Sequence, residues 1–302
     1  MTDRIPRRDF LAGAAAMAAA TATAADRPGP AKTPNGFKKA VKFYMVQDPK
    51  ARTVLDKFQL LRDLGFDGVE LDAPSGLDRK EVLAARDRTG LAIPGVVDSA
   101  HWGDTLSHPD PKVRARGVRA LEQALDDAHA YGATTVLLVP AVVNKEVAYD
   151  HAWQRSAAEI RKVLPRCERL GVKIALENVW NNFLLSPLET ARYVDEFRSE
   201  HIGVHFDVGN VVVYSWPEQW IRILGKRILK LDIKEFSRKI CDQEGRPKGF
   251  NVPLLKGDCD WPAVMKALKE IGYVGWGAAE IAAGNRDYLT GVARDMNTIF
   301  AY

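Results

Sequence analysis

Lys173-Ile174-Ala175-Leu176-Glu177-Asn178 is a short apolar run that closes on an acid, and three later runs repeat its plan. They are Gly203-Val204-His205-Phe206-Asp207, Leu229-Lys230-Leu231-Asp232-Ile233-Lys234 and Trp276-Gly277-Ala278-Ala279-Glu280. Runs of this length, separated by longer segments with three- and four-residue apolar spacing, read as strands alternating with helices. Working outward, the same alternation predicts eight strands, at 41–45, 68–71, 92–97, 135–139, 173–177, 203–207, 229–233 and 276–280. Between the first two, Val54, Leu55, Phe58, Leu60, Leu61 and Leu64 mark one buried helical face. Gly65, Gly132 and Gly171 fall just after such segments, where a left-handed residue ends a helix at little cost. Eight strand-helix units without a run of hairpin turns predict an α/β fold whose parallel strands close into a (β/α)8 TIM barrel.

The barrel is expected over 37–302, preceded by a Pro/Gly/Lys-rich linker at 26–36. Residues 1–25 read differently. Arg7-Arg8-Asp9-Phe10-Leu11, an Ala-rich run and Ala22-Thr23-Ala24 follow the order of a basic region, a weakly apolar region and a cleavage site. Paired arginines before Phe-Leu resemble a twin-arginine signal, which implies a periplasmic or otherwise exported protein that folds before export. Loss of this segment lowers the formal net charge from +4 to +3, because three arginines and two aspartates leave with it. Such a weak balance makes no electrostatic case for a nucleic-acid partner. Hydrophobic residues at 46% and charged residues at 27% are ordinary globular values, and no stretch after the signal is apolar enough for a membrane span. The three cysteines are too few for a disulfide framework, although Cys241 and Cys259 lie in one region and could pair after export.

Barrel chemistry sits at the C-terminal ends of strands, which puts the four strand-end acids in question first. With a side-chain period of two, turning Glu177, Asp207, Asp232 and Glu280 inward sends Leu176, Phe206, Leu231 and Ala279 outward to the helices. Four carboxylates then converge on one volume, where each raises the pKa of the others, and a divalent cation resolves the conflict. Oxygen donors favour Mg2+ or Mn2+, with Co2+ or Zn2+ as lesser options. The alternative is a structural network in which Lys230, Lys234 and Arg238 pair with these acids. His205, one layer deeper than Asp207, and Glu70, at the end of strand two, are expected to support the ligands from behind. His101 follows strand three on a loop that could reach a substrate, and Trp102 and Trp180 could stack on a sugar face. Lys234 shares the inward register of Asp232, and among carboxylates it is expected to act as a fixed cation rather than as an amine nucleophile.

Glu177-Asn178, His205-Phe206-Asp207-Val208-Gly209-Asn210, Asp232-Ile233-Lys234-Glu235-Phe236, Gly257-Asp258 with Asp260-Trp261-Pro262, and Gly272-Tyr273-Val274-Gly275-Trp276 with Glu280 carry a resemblance. In order and spacing they resemble the xylose isomerase-like sugar phosphate isomerase/epimerase superfamily. The ketose 3-epimerases of that superfamily bind one divalent metal through acids on strands five, six and eight and a histidine on strand seven. The resemblance implies Glu177, Asp207 and Glu280 as ligands and places Asp232 where those enzymes have the histidine. Arg238 stands where they carry an arginine that holds a substrate oxygen. Asn210 stands where a substrate-contacting histidine often follows, and Phe183 where some have an acid.

The chemistry these residues suit is proton abstraction beside a carbonyl through an enediolate, on a ketose, keto-sugar or related hydroxy-carbonyl compound, with Glu177 and Glu280 as the proton-transfer pair. Epimerisation and isomerisation both follow from it. Two other classes stay open: a metal-dependent hydrolase or lyase acting on an oxidised glycoside, and a non-catalytic sugar-binding barrel. An endonuclease of shared barrel ancestry would need many histidines and a basic groove, which the chain lacks. The expected partner is a small sugar, and a homo-oligomer is compatible with the sequence.

Overall fold

The computed structural model describes residues 34–302, so the signal expected at 1–25 and the linker up to residue 33 lie outside the described residues. Asn35, at the linker's end, donates from Nδ2 to the carbonyl of Phe300 at 2.9 Å, which ties the domain's entry to its last helix. Eight strands follow: β1 Lys38–Lys42, β2 Gly68–Ala73, β3 Gly95–Asp98, β4 Thr135–Leu138, β5 Lys173–Glu177, β6 Ile202–Asp207, β7 Ile228–Ile233 and β8 Trp276–Ala279. Each pairs in parallel with the next, and β1 pairs with β8, closing the barrel.

The helices are α1 Val54–Asp63, α2 Arg79–Thr89, α3 Pro111–Tyr131, α4 Tyr149–Leu170, α5 Pro187–Asp195, α6 Val208–Val212, α7 Pro217–Leu224, α8 Arg238–Glu244, α9 Trp261–Glu270 and α10 Arg286–Ala301. Local chemistry sets their ends. Thr53 and Asp56 form a reciprocal capping box on α1, Asp110 caps α3 with Pro111 in its first turn, and Asn285 caps α10. At the other end, α3 and α4 stop at Gly132 (φ 76°) and Gly171 (φ 65°), in the left-handed region where a side chain would be strained.

Phe206, Leu231, Leu176 and Ala279 are buried in the core outside the strands, in keeping with acids facing inward. Three strands depart from the expected bounds by more than one residue, and β2 runs on to Ala73, which leaves Glu70 inside that strand rather than at its end. The first runs over Lys38–Lys42, and Phe43–Met45 instead forms a 3-10 turn. The third begins at Gly95, because Pro94 cannot donate to the ladder, and Ala92 makes only an isolated bridge to Gly68. All three cysteines are free thiols, and the Sγ of Cys259 lies 3.4 Å from the carbonyl of Lys234. Among the described residues no helix is long and apolar enough to cross a membrane.

Candidate metal centre

Strand register builds the site. Asp207 on β6 is paired with Asp232 on β7, and Glu177 closes β5 beside His205, so inward side chains at these levels are neighbours. Glu280 lies one residue past β8, and its N–H still donates to the carbonyl of Ile233 at 3.1 Å, which holds it at the height of the strand ends. As a result Glu177, Asp207, Asp232 and Glu280 each offer an oxygen within 4.8 Å of the others.

The backbone around them is fixed by side-chain amides. Asn178 donates from Nδ2 to the Asp207 carbonyl at 2.8 Å and accepts the Asp207 N–H at 2.9 Å, extending the β5–β6 ladder by a side chain. Asp207 caps α6 by accepting the Asn210 N–H at 2.8 Å. The Asn210 amide in turn donates to the Asn178 carbonyl at 3.0 Å and reaches Glu177 Oε1 at 3.4 Å.

Electrostatically the cluster is short of positive charge. Burial, and then the charges of Glu280, Asp207 and Asp232, push Glu177 well above the usual carboxylate range. Burial likewise drives Asp207 up to about 7; Lys234 opposes that rise, and Glu280 and Asp232 add to it. The Lys234 ammonium lies 3.2 Å from both Asp207 Oδ2 and Glu280 Oε1, and these acids hold it protonated against the cost of its burial. Asp232 Oδ2, fully buried, has no partner among the described residues. An all-oxygen donor set with an orphaned carboxylate oxygen fits a hard divalent cation, which Glu177, Asp207, Asp232 and Glu280 would hold.

Beneath this mouth lies a second charged layer, in which Lys42 joins Glu70, His205, Asp232 and Lys230 without a signal of its own in the sequence. Lys42 Nζ lies 2.6 Å from Glu70 Oε2 and 2.8 Å from Asp232 Oδ1, Lys230 Nζ 2.5 Å from Glu70 Oε1, and His205 Nε2 2.9 Å from Asp232 Oδ1. Each of the five is at most 3% exposed. Burial alone would raise Glu70, yet the ammonium groups of Lys230 and Lys42 outweigh it and hold Glu70 at about 2. Asp232 is held low in the same way, against burial, by His205 and Lys42. Gly95 makes room for the Lys230–Glu70 pair, since a Cβ there would fall on the ammonium. Lys42 escapes the sequence expectation because β1 runs three residues earlier than the apolar pattern suggests, so that Lys42 is its last residue rather than its second. Lys230 carried a signal, the same two-residue register as Asp232 and Lys234.

Of the remaining candidates, His101 is buried and accepts the Val139 N–H on Nδ1 at 3.2 Å, so its proton is on Nε2. Burial, and then Lys42, lower its pKa to about 4, which keeps the ring neutral at neutral pH. Trp180 donates to the Asn210 carbonyl at 3.0 Å, with Arg246 4.1 Å above its ring and Phe250 tilted against it at 4.8 Å. Phe250 relays this aromatic wall to the centre, its ring 4.6 Å from the Lys234 ammonium. Arg238 donates to the carbonyls of Val212 and Ser215, both at 2.9 Å, and packs over Trp216. Phe183 is not at the mouth; it packs against Tyr149 and Tyr193. Trp102 is 50% exposed and meets His101 edge to face. Glu235 anchors the loop after β7, accepting from the N–H groups of Leu255 and Cys259 and from Trp261 Nε1.

The fold and site together define a closed parallel (β/α)8 barrel with an acidic cluster at its mouth that could bind a metal. The model of the xylose isomerase-like TIM barrel family matches residues 58–298, and the chain belongs to that family. An L-ribulose-5-phosphate 3-epimerase from Escherichia coli is 26% identical over 240 residues, which cover 75% of this chain and 81% of that protein. Among solved structures, the 3-keto-D-glucoside 4-epimerase of E. coli superposes with a TM-score of 0.72 at 16% identity, covering 88% of this chain and all of that one. D-psicose 3-epimerase from Clostridium cellulolyticum, solved with D-tagatose, gives 0.68 at 20% identity, covering 87% of this chain and 97% of that one. These superpositions share the fold.

Proposed function

We propose that the chain is a sugar epimerase or isomerase, dependent on Mg2+ or Mn2+, that moves a proton beside the carbonyl of a ketose, keto-sugar or related hydroxy-carbonyl compound. The convergence of Glu177, Asp207, Asp232 and Glu280 within 4.8 Å carries this reading, and membership of a family with epimerase relatives supports it. When bound, the cation supplies Lewis acidity that favours negative charge on substrate oxygens. Glu177 and Glu280 stand on opposite sides of the cluster in strand order and form the proton-transfer pair. One carboxylate takes the proton, and the C–H electron pair becomes the C=C bond of an enediolate. Return of a proton to the opposite face gives the epimer; return to the neighbouring carbon gives the isomer. Asn210 orients Glu177, while Lys234 balances Asp207 and Glu280.

The test is deuterium incorporation from heavy water into a panel of ketoses, keto-glycosides and aldoses, with Mn2+ or Mg2+ supplied. Exchange at the carbon beside the carbonyl is expected. A panel without exchange overturns the reading, and cleaved product in place of an isomer moves it to a lyase or hydrolase. The paired arginines Arg7-Arg8 support an exported location, which cell fractionation of the parent and an Arg7→Lys/Arg8→Lys variant tests.

A further inference from the structure

A cavity of about 710 Å³ opens beside the acidic cluster, with Lys234 and Glu280 at its inner end. From there it runs between the 3-10 turn after β1, the loop after β7 and the first half of α10. Pockets of about 300–1,000 Å³ hold drug-sized ligands, so one sugar ring occupies only part of this one.

Its walls are rich in carbon. Met45, Pro253, Leu254 and Ile281 line it, and the rings of Tyr44 and Tyr288 stand 47% and 38% exposed at its edge. Its charge is wrong for an anion. Away from the acidic cluster its lining carries Asp287 and Asp295 and no cation; Lys234, at the inner end, is already shared by Asp207 and Glu280, and Glu235 is engaged by the loop after β7. The start of α10 offers no phosphate site either. Asn285 caps the Tyr288 N–H, Asp48 accepts the Arg286 N–H at 2.8 Å, and Asp287 places a carboxylate in the first turn.

We infer that this groove is a subsite for an uncharged apolar or aromatic group carried by the substrate, which makes that substrate an unphosphorylated glycoside. The inference rests on the proton-transfer reading above for the position of the reacting sugar, at the acidic cluster. Tyr44 and Tyr288 would take the substituent on their ring faces, and the surrounding carboxylates repel a phosphate.

Isothermal titration of the full chain with Mn2+ supplied tests it, using phenyl β-D-glucoside, D-glucose and D-glucose 6-phosphate as probes. The phenyl compound is expected to bind about tenfold tighter than glucose, as burial of an aromatic ring dictates, and the phosphate more weakly than glucose. Gly291, on the α10 wall, has no neighbour nearer than 4.0 Å to a Cβ placed on it, so Gly291→Leu narrows the groove without a backbone clash. That variant is expected to melt no lower than the parent, a mid-helix glycine having been removed, and to cut the phenyl advantage to about threefold or less. A phosphate that binds tighter than glucose, a phenyl group that adds nothing, or no binding by any probe overturns the subsite. Deuterium exchange into a free ketose, followed in parallel, separates the two readings. Exchange without a phenyl advantage removes the subsite and leaves proton transfer standing; a phenyl advantage without exchange does the reverse.

Discussion

The barrel interior holds two charged layers about one residue pair apart, and the same side-chain types behave oppositely in them. In the deeper layer Lys42 and Lys230 face Glu70 and Asp232, every charge has a partner, and Glu70 is held at about 2. At the mouth Glu177, Asp207 and Glu280 face Lys234, and Asp207 rises to about 7. Asp232 belongs to both layers: its Oδ1 is paired below with Lys42 and His205, while its Oδ2 has no partner. Burial is common to the two layers and therefore cannot explain the difference; the count of cations does. A balanced buried network is structure, whereas an unbalanced one with an orphaned oxygen is a place for a cation.

Four measurements can break or sharpen that contrast. Glu280→Gln, near-isosteric at the mouth, is expected to lower deuterium exchange by roughly three to four orders of magnitude while circular dichroism stays that of the parent. Retained exchange would remove Glu280 from proton transfer. Lys230→Met in the deeper layer is expected to cost about 3–5 kcal/mol in denaturant unfolding, because it leaves Glu70 and Asp232 to share Lys42 in a fully buried layer one cation short. A loss below about 1 kcal/mol would deny that the deeper layer is structural, and adding Glu70→Gln should recover part of the loss.

The third measurement concerns His101, whose pKa of about 4 lies below the ordinary value because of burial and Lys42. As pH falls, the unfolded chain takes up this proton before the folded one does. Stability is therefore full above about pH 6.5 and is lost progressively toward pH 4, by up to roughly 3 kcal/mol. Melting curves of the parent and His101→Asn across that window should differ in slope, the variant being flatter. The smallest effect expected is from metal. Mn2+ at about a hundredfold over its dissociation constant should stabilise the parent by about 2.7 kcal/mol and Asp207→Asn by much less. An unshifted parent would place the mouth in the same category as the layer below it.

Much of the molecule was legible in the chain. The acids at the ends of β5, β6, β7 and just past β8 followed from apolar alternation, since a period of two leaves only one face for the carboxylate once Leu176, Phe206 and Leu231 are buried. Arg238 and Trp180 show where reading stops: the order of residues says that they follow strands, but their hydrogen bonds run to the carbonyls of Val212, Ser215 and Asn210. Lys42 shows it more sharply, because a three-residue shift in one strand boundary hides a residue of the deeper charged layer.

By itself, then, the sequence determined the eight-fold alternation, the inward face of each strand and the identity of the four acids, all of which depend on local periodicity. Only the tertiary structure decided which acids have cations beside them, that Lys230 fits against Gly95, and that a carbon-lined groove leads from Glu280 to α10. Those are distances between residues far apart along the chain, and Coulomb energy and excluded volume depend on distance alone.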